Sequence, residues 1–156
     1  MDTTNRLAKT GAVCYALWGI VHVLGAAIQL AALRSQGGAG LTAMISTARP
    51  FDAQATVVPG ASAAFMGMGA FNLLWIGALV TVVAVTLNWR NSRLGYWLNL
   101  GIVGATDAGL LWALLVPGIM AWSDGLVGLV LFAAALACST LGRARVRGLI
   151  VAATAA

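Results

Sequence analysis

Four long runs of apolar residues alternate with short polar or basic segments along the chain, and that alternation predicts the architecture. The runs cover approximately residues 11–33, 63–89, 94–116 and 124–141. A helix needs about 20 apolar residues to cross a bilayer, and each run reaches or approaches that length. The first, GAVCYALWGIVHVLGAAIQLAAL, carries no Asp, Glu, Lys or Arg. Its h-region-like stretch is too long for a signal peptide and no small-x-small site follows it, so it is expected to be retained as a helix. The fold class expected is all-α, an integral membrane four-helix bundle forming a single domain.

Between the first two runs lies the longest connection, residues 34–62, opened by SQGGAG. Within it Leu41, Met44, Ile45 and Ala48 recur at i, i+3, i+4 and i+7, with Thr42, Ser46 and Thr47 opposite. That spacing predicts a short amphipathic helix on the outer membrane surface, serving as a lid over the bundle mouth or as a plain connector. Arg49-Pro50-Phe51-Asp52 should end it, and Pro59-Gly60 should turn the chain before Ser62 caps the second span. Only Arg90-Asn91-Ser92-Arg93 separates spans two and three, which predicts an antiparallel hairpin. Pro117-Gly118 should stop the third span, and Trp122-Ser123-Asp124 should open the fourth. The segment LIVAATAA at the end is too short to cross and reads as interfacial or disordered.

Composition agrees with this pattern. Of 156 residues, 61% are hydrophobic and 8% charged, with a mean hydropathy of +0.93, which excludes an ordinary soluble domain. The net charge of +5 could signal nucleic acid in a soluble protein, but its distribution argues for none here. Arg6, Lys9, Arg90, Arg93, Arg143, Arg145 and Arg147 all fall on one side once four helices are threaded. Arg34, Arg49, Asp52 and Asp124 fall on the other. The positive-inside rule then makes both termini cytoplasmic, in a multi-pass protein. Cys14 and Cys138 form no C-x-x-C and read as small apolar filler near a reducing compartment.

Polar residues inside the runs mark the candidate chemistry. Trp18, His22, Gly25 and Gln29 share one stripe of the first helix. A ring nitrogen or an amide at mid-membrane is costly unless it faces protein, water or ligand, so the stripe should point inward. Met68, Asn72 and Trp75 share a face of the second helix, and Asp107 is the only acid well inside a span. At about 1.5 Å per residue, His22, Asn72 and Asp107 all fall roughly 14–17 Å below the outer surface. His22 and Asp107 are therefore the candidate catalytic or orienting pair. Trp18, Gln29, Asn72, Trp75 and Trp112 are candidate ligand-binding residues.

Such a pair can exchange protons, fix the imidazole tautomer for a substrate, or act only as a clasp that sets helix register. No metal site is expected, because a lone histidine without a thiolate cluster is a poor ligand set; no cofactor is assigned. Small residues Gly101, Gly104, Ala105 and Ala108 should let a neighbouring helix approach the third span closely.

The run Gly19-Ile20-Val21-His22, downstream of Arg6, resembles the start of DoxX-like proteins, small bacterial four-helix membrane proteins. The resemblance covers roughly residues 6–30. It implies a four-helix bundle of the bacterial inner membrane with a redox or accessory association, and little about mechanism. The leading expectation is binding of a lipophilic small molecule, quinone-, isoprenoid- or sterol-like, in an intramembrane pocket around His22 and Asp107. The alternatives are a structural or assembly subunit, as a homo-oligomer or within a larger membrane complex, and a membrane isomerase or cyclase using the pair as acid and base.

Overall fold

The computed structural model describes residues 3–49 and 59–154, with side chains described from Arg6 to Arg49 and from Gly60 to Arg145. Among the described residues the regular structure is entirely helical. The order is α1 (Thr3–Ile45), α2 (Pro59–Thr86), α3 (Arg93–Leu110) and α4 (Trp122–Thr154). A single 3₁₀ turn, Asn88–Arg90, follows α2, and a π-turn, Leu111–Leu115, extends α3. Four of these helical stretches are long and apolar enough to cross a membrane: Arg6–Ile45, Gly60–Arg90, Arg93–Leu115 and Trp122–Arg145. Large apolar side chains such as Leu24, Phe65, Val82 and Leu126 stand on the outside, as lipid-facing residues do.

The bundle is built on α1. Between apolar helices in lipid there is little hydrophobic drive, so close van der Waals packing carries association, and that requires small residues at the crossings. At the α1–α2 crossing Gly19 faces Gly77. A methyl group on Gly19 would stand 2.5 Å from the Gly77 carbonyl oxygen, and one on Gly77 would stand 2.7 Å from the Gly19 oxygen. Gly11 does the same against α4, where a methyl would collide with Ser139 and approach the Ala135 carbonyl to 3.1 Å. The backbone-to-backbone contacts of α1 are therefore made at Gly19 and Gly77 with α2 and at Gly11 with α4. Gly101, Ala105 and Ala108 of α3 are exposed, and a methyl on Gly101 would touch nothing within 4 Å. Close packing through that face of α3, expected from its small residues, is not what holds this chain together. Of the two glycines only Gly104 faces a neighbour, the Phe132 ring, which a methyl there would meet at 3.4 Å.

α3 reaches α1 through large side chains instead. Tyr15, Trp18, Val80, Ala84, Val103 and Ala135 form the buried core, drawn from all four helices. The inward positions of α3 are Gly95, Asn99, Val103 and Asp107, spaced by four. A four-residue step overshoots an ideal helical turn by about 40°, so such a stripe drifts around the helix. The π-turn absorbs that drift and returns Leu115 to the core, where its side chain fills the space left by Gly125.

Several local expectations are corrected. SQGGAG is helical except at Gly37, whose φ of 66° lies in the left-handed region that glycine tolerates. The helix resumes after that break, so residues 38–45 continue α1 at an angle. They do not lie free on a surface: Leu41 is fully buried, Gly38 abuts Ala63, and Thr42 Oγ1 donates to Met66 Sδ at 3.6 Å. α2 begins at Pro59, where a proline suits a first helical turn, so Ser62 lies inside it and is not its cap. The readings placed on Pro50, Phe51 and Asp52 fall outside the described residues. α4 runs on through Thr154, so of the two alternatives for the closing segment, interfacial or disordered, the disordered one fails for residues 149–154.

The two ends of the bundle are tied differently. At one, Asn91 takes a left-handed conformation (φ 54°) and the Ser92 hydroxyl accepts from Gly95 N, which makes the α2–α3 hairpin. The buried amides of Asn88 and Asn99 meet beneath it at 3.3 Å. Lys9 stands 5.2 Å over the Trp89 ring and Arg143 donates to the Asn91 carbonyl, so the basic residues of α1, the hairpin and α4 gather at this end. At the other, Ala48 N donates to Ile119 O at 3.0 Å and Ala121 N to Thr47 Oγ1 at 2.9 Å. The connection after α1 is thus fastened across the α3–α4 turn.

Candidate functional site

Tyr15, Trp18 and His22 follow one another at helical spacing on the inward stripe of α1. Tyr15 and Trp18 are fully buried and His22 is half-buried. The Trp18 indole lies between the two residues expected to pair. Its Nε1–H donates to Asp107 Oδ1 at 3.2 Å, and its ring stacks on the His22 imidazole with centroids 3.6 Å apart and planes at 21°. Among the described residues His22 and Asp107 share no hydrogen bond or ion pair. The contact expected between them is replaced by an Asp107–Trp18–His22 sequence, in which the first link is a hydrogen bond and the second a ring stack.

The tautomer of His22 follows from its other contact. Nδ1 lies 2.7 Å from the Trp18 carbonyl oxygen, which can only accept, so Nδ1 carries the proton. In the neutral ring Nε2 is then left as an acceptor. Nε2 faces α4 at Gly128. A methyl group there would stand 3.1 Å from the imidazole Cε1, 3.5 Å from Nε2 and 3.5 Å from the Trp18 Nε1. The absence of a side chain at 128 is what admits both rings to the α1–α4 seam.

One turn further along α1, a methyl on Gly25 would meet nothing within 4 Å. Gln29, another turn on, is half-exposed and makes no hydrogen bond to the described residues. His22, Gly25 and Gln29 therefore form a row along α1 with open space over the glycine and a polar group at each end, a trough-like strip of the helix. At about 1.5 Å per residue the two polar ends are roughly 10 Å apart along the helix.

Asp107 is turned away from this trough. It is 2% exposed, Oδ1 is taken by Trp18, and Oδ2 is buried with no partner. The Tyr15 hydroxyl is a second buried oxygen without a partner, and pattern reading missed Tyr15 because aromatic residues near a span end are usually interfacial anchors. Its position four residues before Gly19 and three before Trp18 was the available signal.

The remaining candidates stand elsewhere. Asn72 and Trp75 bond to each other, Trp75 Nε1 donating to Asn72 Oδ1 at 3.2 Å, on an exposed face of α2. Trp112 is 81% exposed, swung outward on the π-turn. Neither residue set joins Trp18, His22 and Asp107. No group of three or more His, Cys, Asp or Glu side chains that could hold a metal ion occurs among the described residues. Cys14 and Cys138 are both free thiols.

No family model, curated protein or solved structure matches this chain.

Proposed function

We propose that this chain is a small multi-pass membrane protein that binds a lipophilic molecule along the α1 trough from His22 across Gly25 to Gln29. The observation that carries the reading is the His22 imidazole. It is held rigidly by the Trp18 stack and the Nδ1 hydrogen bond, while Nε2 stands as an unpaired acceptor inside an apolar span. A polar atom left in this state within hydrocarbon is costly, and an occupant with a hydroxyl would satisfy it. The Gln29 amide, at the other end, offers a donor and an acceptor to a second polar group on the same molecule. A quinone-, isoprenoid- or sterol-like compound has the required apolar body with few polar groups. Trp18 and Asp107 act as positioning residues: the carboxylate holds the indole, and the indole holds the imidazole.

This geometry favours binding over acid–base turnover by His22 and Asp107, since the carboxylate is covered by Trp18 and does not reach the trough. An assembly role has one observation in its favour, the exposed small face of α3 formed by Gly101, Ala105 and Ala108. The gathering of basic residues at the hairpin end supports an orientation with both termini in the cytoplasm of a bacterial inner membrane, with the trough opening towards the outer leaflet.

Native mass spectrometry of the detergent-purified protein tests the proposal. The wild type should retain a lipophilic adduct, His22→Ala and Gln29→Ala should lose it while staying folded, and Gly101→Leu should keep it. An adduct retained equally by all four proteins, or none in the wild type extracted under mild conditions, refutes the trough as a binding site.

A further inference from the structure

A second site lies at the basic end of the bundle, in the groove between α3 and α4. A cavity of about 430 Å³ is lined there by Tyr96, Trp97, Thr140, Arg143 and Ala144. Its polar groups converge. The Tyr96 hydroxyl and Thr140 Oγ1 are 3.1 Å apart, and the Arg143 guanidinium stands 5.2 Å over the Tyr96 ring. Arg143 is itself oriented, because Nη1 donates to the Asn91 carbonyl at 3.3 Å. Among the described residues it pairs with no carboxylate, so its charge is uncompensated. Arg93, at the start of α3 one turn before Tyr96 and Trp97, adds a second cation at this level.

The walls of the groove change character along the membrane normal. Beside the arginine and the two hydroxyls stands Trp97, 56% exposed and set edge-on to Tyr96 with centroids 5.2 Å apart. One turn deeper towards mid-membrane, four residues from Tyr96 and from Thr140 on the same helix faces, stand Leu100 and Leu136, both half-buried. An interfacial indole beside a fixed guanidinium, with leucines below, matches the order of groups in a phospholipid: phosphate, glycerol ester and acyl chain. A guanidinium fork and two hydroxyls suit a phosphodiester oxygen pair, and no acidic side chain lines the cavity to repel it.

We infer that the α3–α4 groove at the basic end binds an anionic phospholipid, its phosphate held by Arg143, Tyr96 and Thr140 and its acyl chains laid along Leu100 and Leu136. This site is separate from the α1 trough and stands or falls independently of it. The lipid would seal the basic end of the α3–α4 seam, and would give that end of the bundle a preference for an anionic leaflet.

The test uses full-length protein in a neutral detergent with dioleoyl phosphatidylglycerol or dioleoyl phosphatidylcholine added at equal concentration, with adducts counted by native mass spectrometry. Wild type should prefer the anionic lipid by at least about fivefold, the factor expected for one basic residue at an anionic surface. Arg143→Gln should bring that preference close to one, Arg143→Lys should keep most of it, and Arg90→Gln should leave it unchanged. Thr140→Val, which keeps the Arg143 contact to the hairpin, should weaken it as well and guards against a folding artefact in Arg143→Gln. Equal preference in wild type and Arg143→Gln overturns the inference. So does an equal loss in Arg90→Gln, which would mean diffuse charge, and so does complete displacement by millimolar inorganic phosphate, which would mean a free-anion site.

Discussion

Removing the Trp18 indole N–H is the sharpest probe of the polar centre, because that one group ties α1 to α3. Trp18→Phe keeps a ring against His22 but leaves Asp107 Oδ1 as unpaired as Oδ2 already is. Asp107→Leu does the converse and strands the indole N–H. The bond is 3.2 Å long, beyond the roughly 2.7–2.9 Å of charge-assisted hydrogen bonds, so its worth should fall well short of the strongest ones. Hydrogen bonds between helices in a membrane average about 0.6 kcal/mol and reach about 1.7. Full burial of both partners puts this one in the upper half of that range, at about 1 kcal/mol. Trp18→Phe also leaves a void, which should bring its total cost to about 2–3 kcal/mol.

The void cancels in a double-mutant cycle while the bond does not. Unfolding in mixed micelles with rising dodecyl sulfate should therefore show Trp18→Phe/Asp107→Leu about 1 kcal/mol more stable than the sum of the single changes predicts. His22→Phe combined with Asp107→Leu should be additive to within about 0.5 kcal/mol, since those two side chains do not meet. Two results would refute this reasoning. One is additivity of Trp18 and Asp107; the other is a His22–Asp107 coupling as large as theirs, which would restore the direct pair.

Three further outcomes are expected. Gly77→Val should destabilise the bundle by about 1–3 kcal/mol in the same assay, because its methyls meet the Gly19 carbonyl and Val23, whereas Gly101→Val should change it by less than about 0.5. Gly128→Ala should press on the imidazole and reduce adduct retention, with a smaller effect on unfolding than Gly77→Val; intact retention would move the ligand away from His22. In cells, with Cys14 and Cys138 replaced by Ala, a cysteine at Met120 should react with a membrane-impermeant maleimide and one at Asn91 should not. The reverse labelling would invert the orientation.

The spans were legible because composition alone separates them, and so was the hairpin, because four polar residues leave no other connection. The α1 stripe was legible as a helix face but only in part as an inward one: Trp18 is buried, His22 and Gln29 are half-buried, and the space over Gly25 is open. Depth was a weaker guide. His22, Asn72 and Asp107 share a level by residue count, but Asn72 lies five residues from Gly77, about 140° around α2 from the buried row Ala70, Gly77, Ala84. A seven-residue spacing of small side chains marked the buried face of α2, and it excluded Asn72. Trp112 sits as far around α3 from Asp107. What no count could supply was the residue between His22 and Asp107. Rise per residue places a side chain to within about a turn, roughly 5 Å, which exceeds hydrogen-bond reach. The break at Gly37 and the π-turn were hidden for a related reason, since each shifts a helix by an angle that periodicity averages away.

The packing explains why the polar centre is divided. Glycine contacts commit α1 to α2 and α4 along their backbones, and of these two seams the α1–α4 one admits rings only where Gly128 leaves room for them. α3 has no such contact with α1, so the space between them must be filled by large side chains, and Tyr15 and Trp18 fill it. Filling it with indole brings an N–H into an apolar interior, where it needs an acceptor, and Asp107 supplies one. The carboxylate thus answers a requirement set by packing. His22 is different: its Nδ1 is satisfied within its own helix, so Nε2 serves no structural need and could be lost to an apolar residue without stranding a partner. Its ring packs on Trp18, but a polar Nε2 that costs stability in lipid and meets no partner in the fold is what a ligand would answer. On the proposed reading, that asymmetry gives the Asp107 side of Trp18 to holding the fold and the His22 side to binding.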